Sequence, residues 1–127
     1  MDDSIGRAFA RSLASKDATA LRMLLADDVD FRGLTPRRQW SGSTPAEVVD
    51  EIVFGCWFEP ADKISELIAV HTDDFADCQH LSYRLRVSNP DGNFLVEQQA
   101  YYTVADSGKI NWLRVLCSGF RPVKASP

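Results

Sequence analysis

The sequence predicts an α+β domain in which N-terminal helices pack on one face of a curved, mainly antiparallel sheet. Two observations carry this. Apolar residues recur at helical spacing up to Phe58, and from Ile64 onward the period changes to two. The second is the stretch from Asn93 to Ser118, where two runs rich in β-branched and aromatic residues flank Asp106-Ser107-Gly108, the signature of a long hairpin.

The first helix follows from Ile5, Phe9 and Leu13 at i, i+4 and i+8, with Asp2 and Asp3 supplying negative charge at its start. Asp17 caps a second helix whose stripe is Ala20, Leu21, Leu24 and Leu25, and the join at Ser15-Lys16 is either a kink or a full turn. Val29 to Leu34 reads as a short strand, and Gly33, Pro36, Arg37-Arg38 and Gly42 make the following segment a loop containing Trp40. Thr44, Pro45 and Glu47 occupy the N-cap, N1 and N3 positions of a third helix. Val48, Val49, Ile52, Val53 and Cys56 form its apolar face; Phe54, Trp57 and Phe58 make its far end apolar nearly all round. Ile64 to Thr72 and Gln79 to Val87 are strands joined by a turn at 73–77, and Asn89-Pro90-Asp91-Gly92 turns into the long hairpin. Those four strands form an antiparallel meander. Residues 1–121 make one domain, and 122–127 read as a loose tail.

Composition bounds the function classes. Fourteen Lys and Arg against 18 Asp and Glu give a net charge of −4 and a pI near 5.0, a poor match to a phosphate backbone or an anionic membrane surface. No apolar run approaches the roughly 20 residues of a membrane span, and no h-region follows the acidic start, so a soluble, cytoplasmic protein is expected. Cys56, Cys78 and Cys117 are odd in number and widely spaced, which suits reduced thiols.

The order of elements resembles the nuclear transport factor 2-like superfamily, a cone-shaped α+β fold that includes SnoaL-like cyclases, ketosteroid isomerases, scytalone dehydratase and limonene epoxide hydrolase. The resemblance rests on Leu21 to Val29, on Trp40-Ser41-Gly42 ahead of the third helix, and on Tyr102 to Ile110. It implies an apolar pocket between the helices and the concave sheet face, and a convex face that often forms a homodimer. It also implies a register: Val96, Gln98, Ala100, Tyr102 and Val104 point inward, opposite Asn111, Leu113, Val115 and Cys117, beside Leu81, Tyr83, Leu85 and Val87. Trp40, Trp57, Tyr83, Gln98, Tyr102, Asn111, Leu113 and Cys117 are then the candidate ligand-binding residues, and Tyr101, Trp112, Arg114 and Leu116 the candidate interface.

The resemblance does not carry a reaction with it. A ketosteroid isomerase needs a carboxylate base and an oxyanion hole of a tyrosine and a protonated aspartic acid. The corresponding positions fall on Gly33, Phe9 and Ala100, none of which has the required group. The Asp-Arg-Asp set of the epoxide hydrolases and the His/Asp pair of the SnoaL-like cyclases have no evident counterpart.

His71 can be a pocket base or a rim histidine, since its parity on the strand is not fixed. Cys78-x-His80 lacks the further ligands a zinc site needs, and Asp27, Asp28 and Asp30 lack the Gly and distal Glu of a calcium loop, so no metal or other cofactor is expected. Glu97, mid-strand, is explained by a cross-strand pair with Arg84, Arg86 or Arg114, and Cys117 by packing as an inert thiol.

Three functions follow in order of expectation. The first is a module binding a small hydrophobic or aromatic molecule. The second is an isomerase, cyclase or dehydratase using His71, with Tyr83 or Tyr102 steadying an enolate. The third is protein association through the convex face.

Overall fold

A computed structural model describes residues 4–123, so Asp2 and Asp3 lie outside the described residues. Helix α1 (Ile5–Ala14) starts at Ser4, whose hydroxyl accepts from the Arg7 amide at 3.2 Å, and it buries Phe9, Ala10 and Leu13. The join to α2 (Ala18–Met23) is a full turn, with Lys16 at φ 55, and Asp17 caps α2 through the Ala20 amide.

The second helix is shorter than its pattern implies. Leu25 belongs to strand β1 (Leu25–Thr35), because the Ile110 amide donates to the Leu24 carbonyl and Leu25 pairs with Ile110. Sheet pairing takes the chain from a helix that local propensity alone would extend.

Strand β2 (Arg38–Gly42) replaces the expected loop. It forms a hairpin with β1 in which Thr35 pairs with Arg38 and Gly33 with Trp40. Helix α3 (Glu47–Trp57) is capped by the Thr44 hydroxyl, which accepts from the Glu47 amide, while the Glu47 carboxylate takes the Ser43 amide at 2.8 Å. The Ser43 backbone and hydroxyl groups hold that carboxyl below its usual range.

The helix is π-helical, with i→i+5 bonding such as the Phe58 amide to the Val53 carbonyl at 2.8 Å. The wider turn shifts the buried face. Trp57 and Phe58 are buried and Cys56 is exposed, whereas a 3.6-residue period had placed Cys56 with the apolar face.

Strands β3 (Lys63–Phe75), β4 (Cys78–Asn89), β5 (Gly92–Val104) and β6 (Ile110–Cys117) form the expected antiparallel meander. The whole sheet is seven-stranded, in the order β2-β1-β6-β5-β4-β3, with β1 parallel to β6 and the rest antiparallel. A short β7 (Arg121–Pro122) pairs with Leu95 and Phe94 of β5, so Pro122 is tied to the sheet; residues 124–127 lie outside the described residues.

The helices lie over the inner face, where Leu81, Tyr83, Leu85, Val96, Gln98, Ala100, Tyr102 and Leu113 meet Phe9, Leu13, Val49, Val53 and Trp57 in one core.

Candidate functional site

The inner face of the sheet and the end of α3 leave a cavity of about 330 Å³ at the open end of the core. Thr35 and Trp40 come from the β1–β2 hairpin, Cys56, Trp57 and Phe58 from α3, Asp62 from the following turn, and Cys117 and Phe120 from β6 and beyond. Three aromatic contacts shape it. Phe58 and Phe120 stack at 5.9 Å, the Trp57 ring meets Trp40 edge-on at 6.3 Å, and it tilts against Phe31 at 5.9 Å. The Trp40 indole is locked from behind by donating Nε1 to the Thr35 hydroxyl at 2.9 Å.

Glycine at position 33 is what lets Trp57 settle here. A Cβ on Gly33 would lie 2.8 Å from the Trp57 ring, closer than real side chains approach. The position that the resemblance aligns with an isomerase base is therefore covered by an indole. Phe9 and Ala100, at the other two positions, are buried in the apolar core.

Polar atoms behind this wall are few and unevenly paired. Gln98 is fully buried and accepts the Tyr83 hydroxyl through Oε1, while its Nε2 and the Trp57 Nε1 have no hydrogen-bond partner among the described residues. Gln98 is the cross-strand partner of Cys117, whose sulfur accepts the Gly119 amide at 3.4 Å. Two buried donors thus stand unsatisfied among the described residues, Trp57 Nε1 on a ring that lines the cavity and Gln98 Nε2 behind it in a region closed to water. Asp62 is the one carboxylate lining the cavity, and its two oxygens take the Glu59 amide and the Asn89 side chain, both at 2.9 Å.

Burial pushes the Tyr83 phenol far above its ordinary range, with the neighbouring Cys117 adding to the shift. Burial raises the Tyr102 phenol as well, partly offset by Gly6 and Ser4; its hydroxyl approaches the first turn of α1 without closing a hydrogen bond of good geometry. Both groups favour the neutral phenol in the folded state. Their stabilisation is present below about pH 10, the ordinary tyrosine value, and is lost as pH rises toward the folded values. Alkaline titration followed by urea unfolding should show stability falling above about pH 10, and Tyr83→Phe should make that slope shallower. An unchanged slope would contradict the shift.

The expected site residues divide into three groups. Trp40, Trp57 and Cys117 line the cavity, with Tyr83 and Gln98 directly behind Cys117. Tyr102 and Leu113 are buried but do not line the cavity; Tyr102 lies against Gly6 of α1 and Leu113 pairs with Phe31 of β1.

Asn111 leaves the inner face altogether. A bulge between Thr103 and Val104 brings Ile110 inward instead, and Asn111 Oδ1 accepts the Thr103 hydroxyl at 2.6 Å. Val104, expected inward, is exposed beyond the same bulge.

His71 pairs with Ser82 on the outer face and its side chain is 68% exposed, so it does not reach the cavity. Glu97 pairs with Arg84 at 2.7 Å across the outer face, the cross-strand explanation of its charge. His80 lies on the outer face and is mostly covered: Tyr101 packs on its ring, and its nitrogens meet Asp73 Oδ1 at 3.2 Å and Gln99 Oε1 at 3.0 Å. Tyr101, Trp112, Arg114 and Leu116 share the outer face, and the Arg114 guanidinium lies 4.5 Å over the Trp112 ring.

Phe58, Phe120 and Asp62 complete the cavity without having been singled out from sequence. Phe58 was only an end-of-helix aromatic, and Phe120 follows the last predicted strand. Among the described residues, no group of three His, Cys, Asp or Glu side chains could hold a metal ion, and no helix is long and apolar enough to cross a membrane.

No protein-family model and no curated protein matches the chain. Solved structures do. A "putative isomerase" from Rhodopseudomonas palustris superposes with a TM-score of 0.70 at 14% identity, over 94% of this chain and 93% of its own. Another from Bacillus subtilis gives 0.71 at 15% identity, over 90% and 84%. A hypothetical protein with a ketosteroid isomerase-like fold from Catenulispora acidiphila, in complex with trimethylamine, gives 0.70 at 12% identity, over 93% and 88%. The fold is therefore the nuclear transport factor 2-like cone that the order of elements implied.

Proposed function

We propose that this cone-fold chain binds a small, neutral, largely apolar molecule carrying one carbonyl or ether oxygen, in the cavity bounded by Trp40, Trp57, Phe58, Cys117 and Phe120. The observation that carries the reading is an aromatic cavity lined by Trp57, whose buried Nε1 has no partner among the described residues. The volume of about 330 Å³ lies near the lower end of ligand pockets, which restricts the molecule to one or two rings.

Proton-transfer chemistry, as in an isomerase, is the second reading. One observation favours it: Asp62, a carboxylate, borders the same cavity. His71 cannot serve as its base from the outer face.

One experiment separates the two. 1-Indanone and its hydrocarbon counterpart indane are titrated against the protein by tryptophan fluorescence and thermal shift. Binding predicts that indanone binds roughly tenfold more tightly than indane, and that Trp57→Phe removes most of that difference. Equal affinity, or no stabilisation by either compound, sinks the binding reading. Exchange of the indanone α-protons in deuterated buffer, abolished by Asp62→Asn, would establish proton transfer instead.

A further inference from the structure

We propose a second, independent binding site on the outer sheet face that takes an aryl or alicyclic carboxylate through Arg32 and Arg114. A groove of about 650 Å³ crosses strands β2, β1, β6 and β5 there. Its floor consists of two cross-strand rows fixed by the pairing register. Tyr101, Arg114, Arg32 and Ser41 form one row, and Gln99, Leu116, Leu34 and Gln39 form the next. The first row is cationic at its centre, and the second is apolar at its centre with an amide at each end.

The arginines are placed and available. Arg32 and Arg114 are direct partners on parallel strands, so their stems stand about 5 Å apart. All of the Arg114 hydrogen bonds use Nη1, to the Asp30 carbonyl and carboxylate and the Leu113 carbonyl, and stacking over Trp112 fixes the plane of the guanidinium. Its Nη2 and Nε therefore have no protein partner among the described residues. The Arg32 side chain makes no hydrogen bond or ion pair among the described residues.

Among the described residues the groove lining includes no carboxylate, and Asp30 is engaged with Arg114 Nη1 at its edge. Asp30 compensates one end of Arg114, and the remaining Nη2 and Nε of Arg114 beside the Arg32 guanidinium present planar donor forks that match a carboxylate.

The second row specifies the rest of the molecule. Leu34 and Leu116, both well exposed, lie two residues along their strands from the arginines, about 7 Å away. An acid whose carboxylate sits on the first row lays a flat apolar body on these leucines, against the Tyr101 ring. Gln99 is held in place through His80, leaving its amide nitrogen as a further donor.

Isothermal titration calorimetry with 2-naphthoate tests the site, with 2-naphthamide as the neutral counterpart and inorganic phosphate as the bare anion. Naphthoate should bind at one site, and naphthamide and phosphate each at least about tenfold more weakly. Arg32→Gln and Arg114→Gln, both at the surface, should each weaken naphthoate by roughly five- to tenfold. Cys117→Leu, which fills the inner cavity, should leave it unchanged.

Equal affinity for acid and amide overturns the proposal. So does loss of binding in Cys117→Leu with the arginine variants silent, which would put the acid in the inner cavity. Sedimentation velocity showing a dimer that Arg32→Glu disperses and naphthoate does not would assign the groove to a second copy of this chain, and would overturn it too.

Discussion

Tyr83→Phe should destabilise the protein more than Gln98→Leu, and the double variant should recover most of either loss. The reason lies in the pairing of one buried amide. Tyr83 donates to Gln98 Oε1 in a region closed to water, while Gln98 Nε2 already lacks a partner. Removing the phenol hydroxyl leaves both ends of the amide unpaired. Replacing the amide strands only the hydroxyl.

Each single substitution should cost about 1–3 kcal/mol, with Tyr83→Phe at the upper end. For a domain of this length that corresponds to a fall in melting temperature of roughly 4 °C per kcal/mol. The double variant replaces the polar pair by apolar groups of similar shape and has no unpaired buried atom left there. Urea unfolding of the four proteins measures the coupling directly. If the losses simply add, the two groups are not coupled as the structure shows.

The largest single loss should come from Trp57→Ala, about 3–5 kcal/mol. The ring is 7% exposed, covers Gly33, and contacts both Phe31 and Trp40, so its removal joins a new void to the existing cavity. Gly33 leaves no side chain to fill that space. Added indole should occupy it and raise the melting temperature of Trp57→Ala while leaving the wild-type protein nearly unaffected. Equal shifts in both proteins, or none, would show that the neighbouring residues collapse into the space instead. Gly33→Ala should act in the same direction with a smaller effect, since its Cβ forces the indole off its present position.

Legibility in the sequence followed the range of the interactions involved. The meander β3–β6 and the start of α3 rest on alternation, turn residues and capping groups a few positions apart, and the structure has them where the sequence put them. Strand β2 could not be read, because it exists only as the partner of β1, and its residues look like a polar, arginine-rich loop. The parity of His71 was open for a physical reason: bulges between Ile64 and Glu66 and between Ile68 and His71, with Ala69 at φ 55, reset the alternation before the histidine is reached. Asn111 failed the same way at the bulge beside Val104. Cys56 turned outward, while Trp57 and Phe58 were covered as an all-round apolar helix end requires, because a π-helix does not keep a 3.6-residue period.

By itself the sequence determined the α+β class and the alternation of the meander strands, which depend on a local period; the register around Gln98, Ala100 and Tyr102 and the place of Gly33, Phe9 and Ala100 came from the family resemblance. Only the tertiary structure decided that the inner cavity is small, that Trp57 fills the space over Gly33, and that Arg32 and Arg114 stand side by side. Those facts depend on the parallel pairing of β1 with β6, which joins segments about 80 residues apart through long-range contacts that no local pattern records.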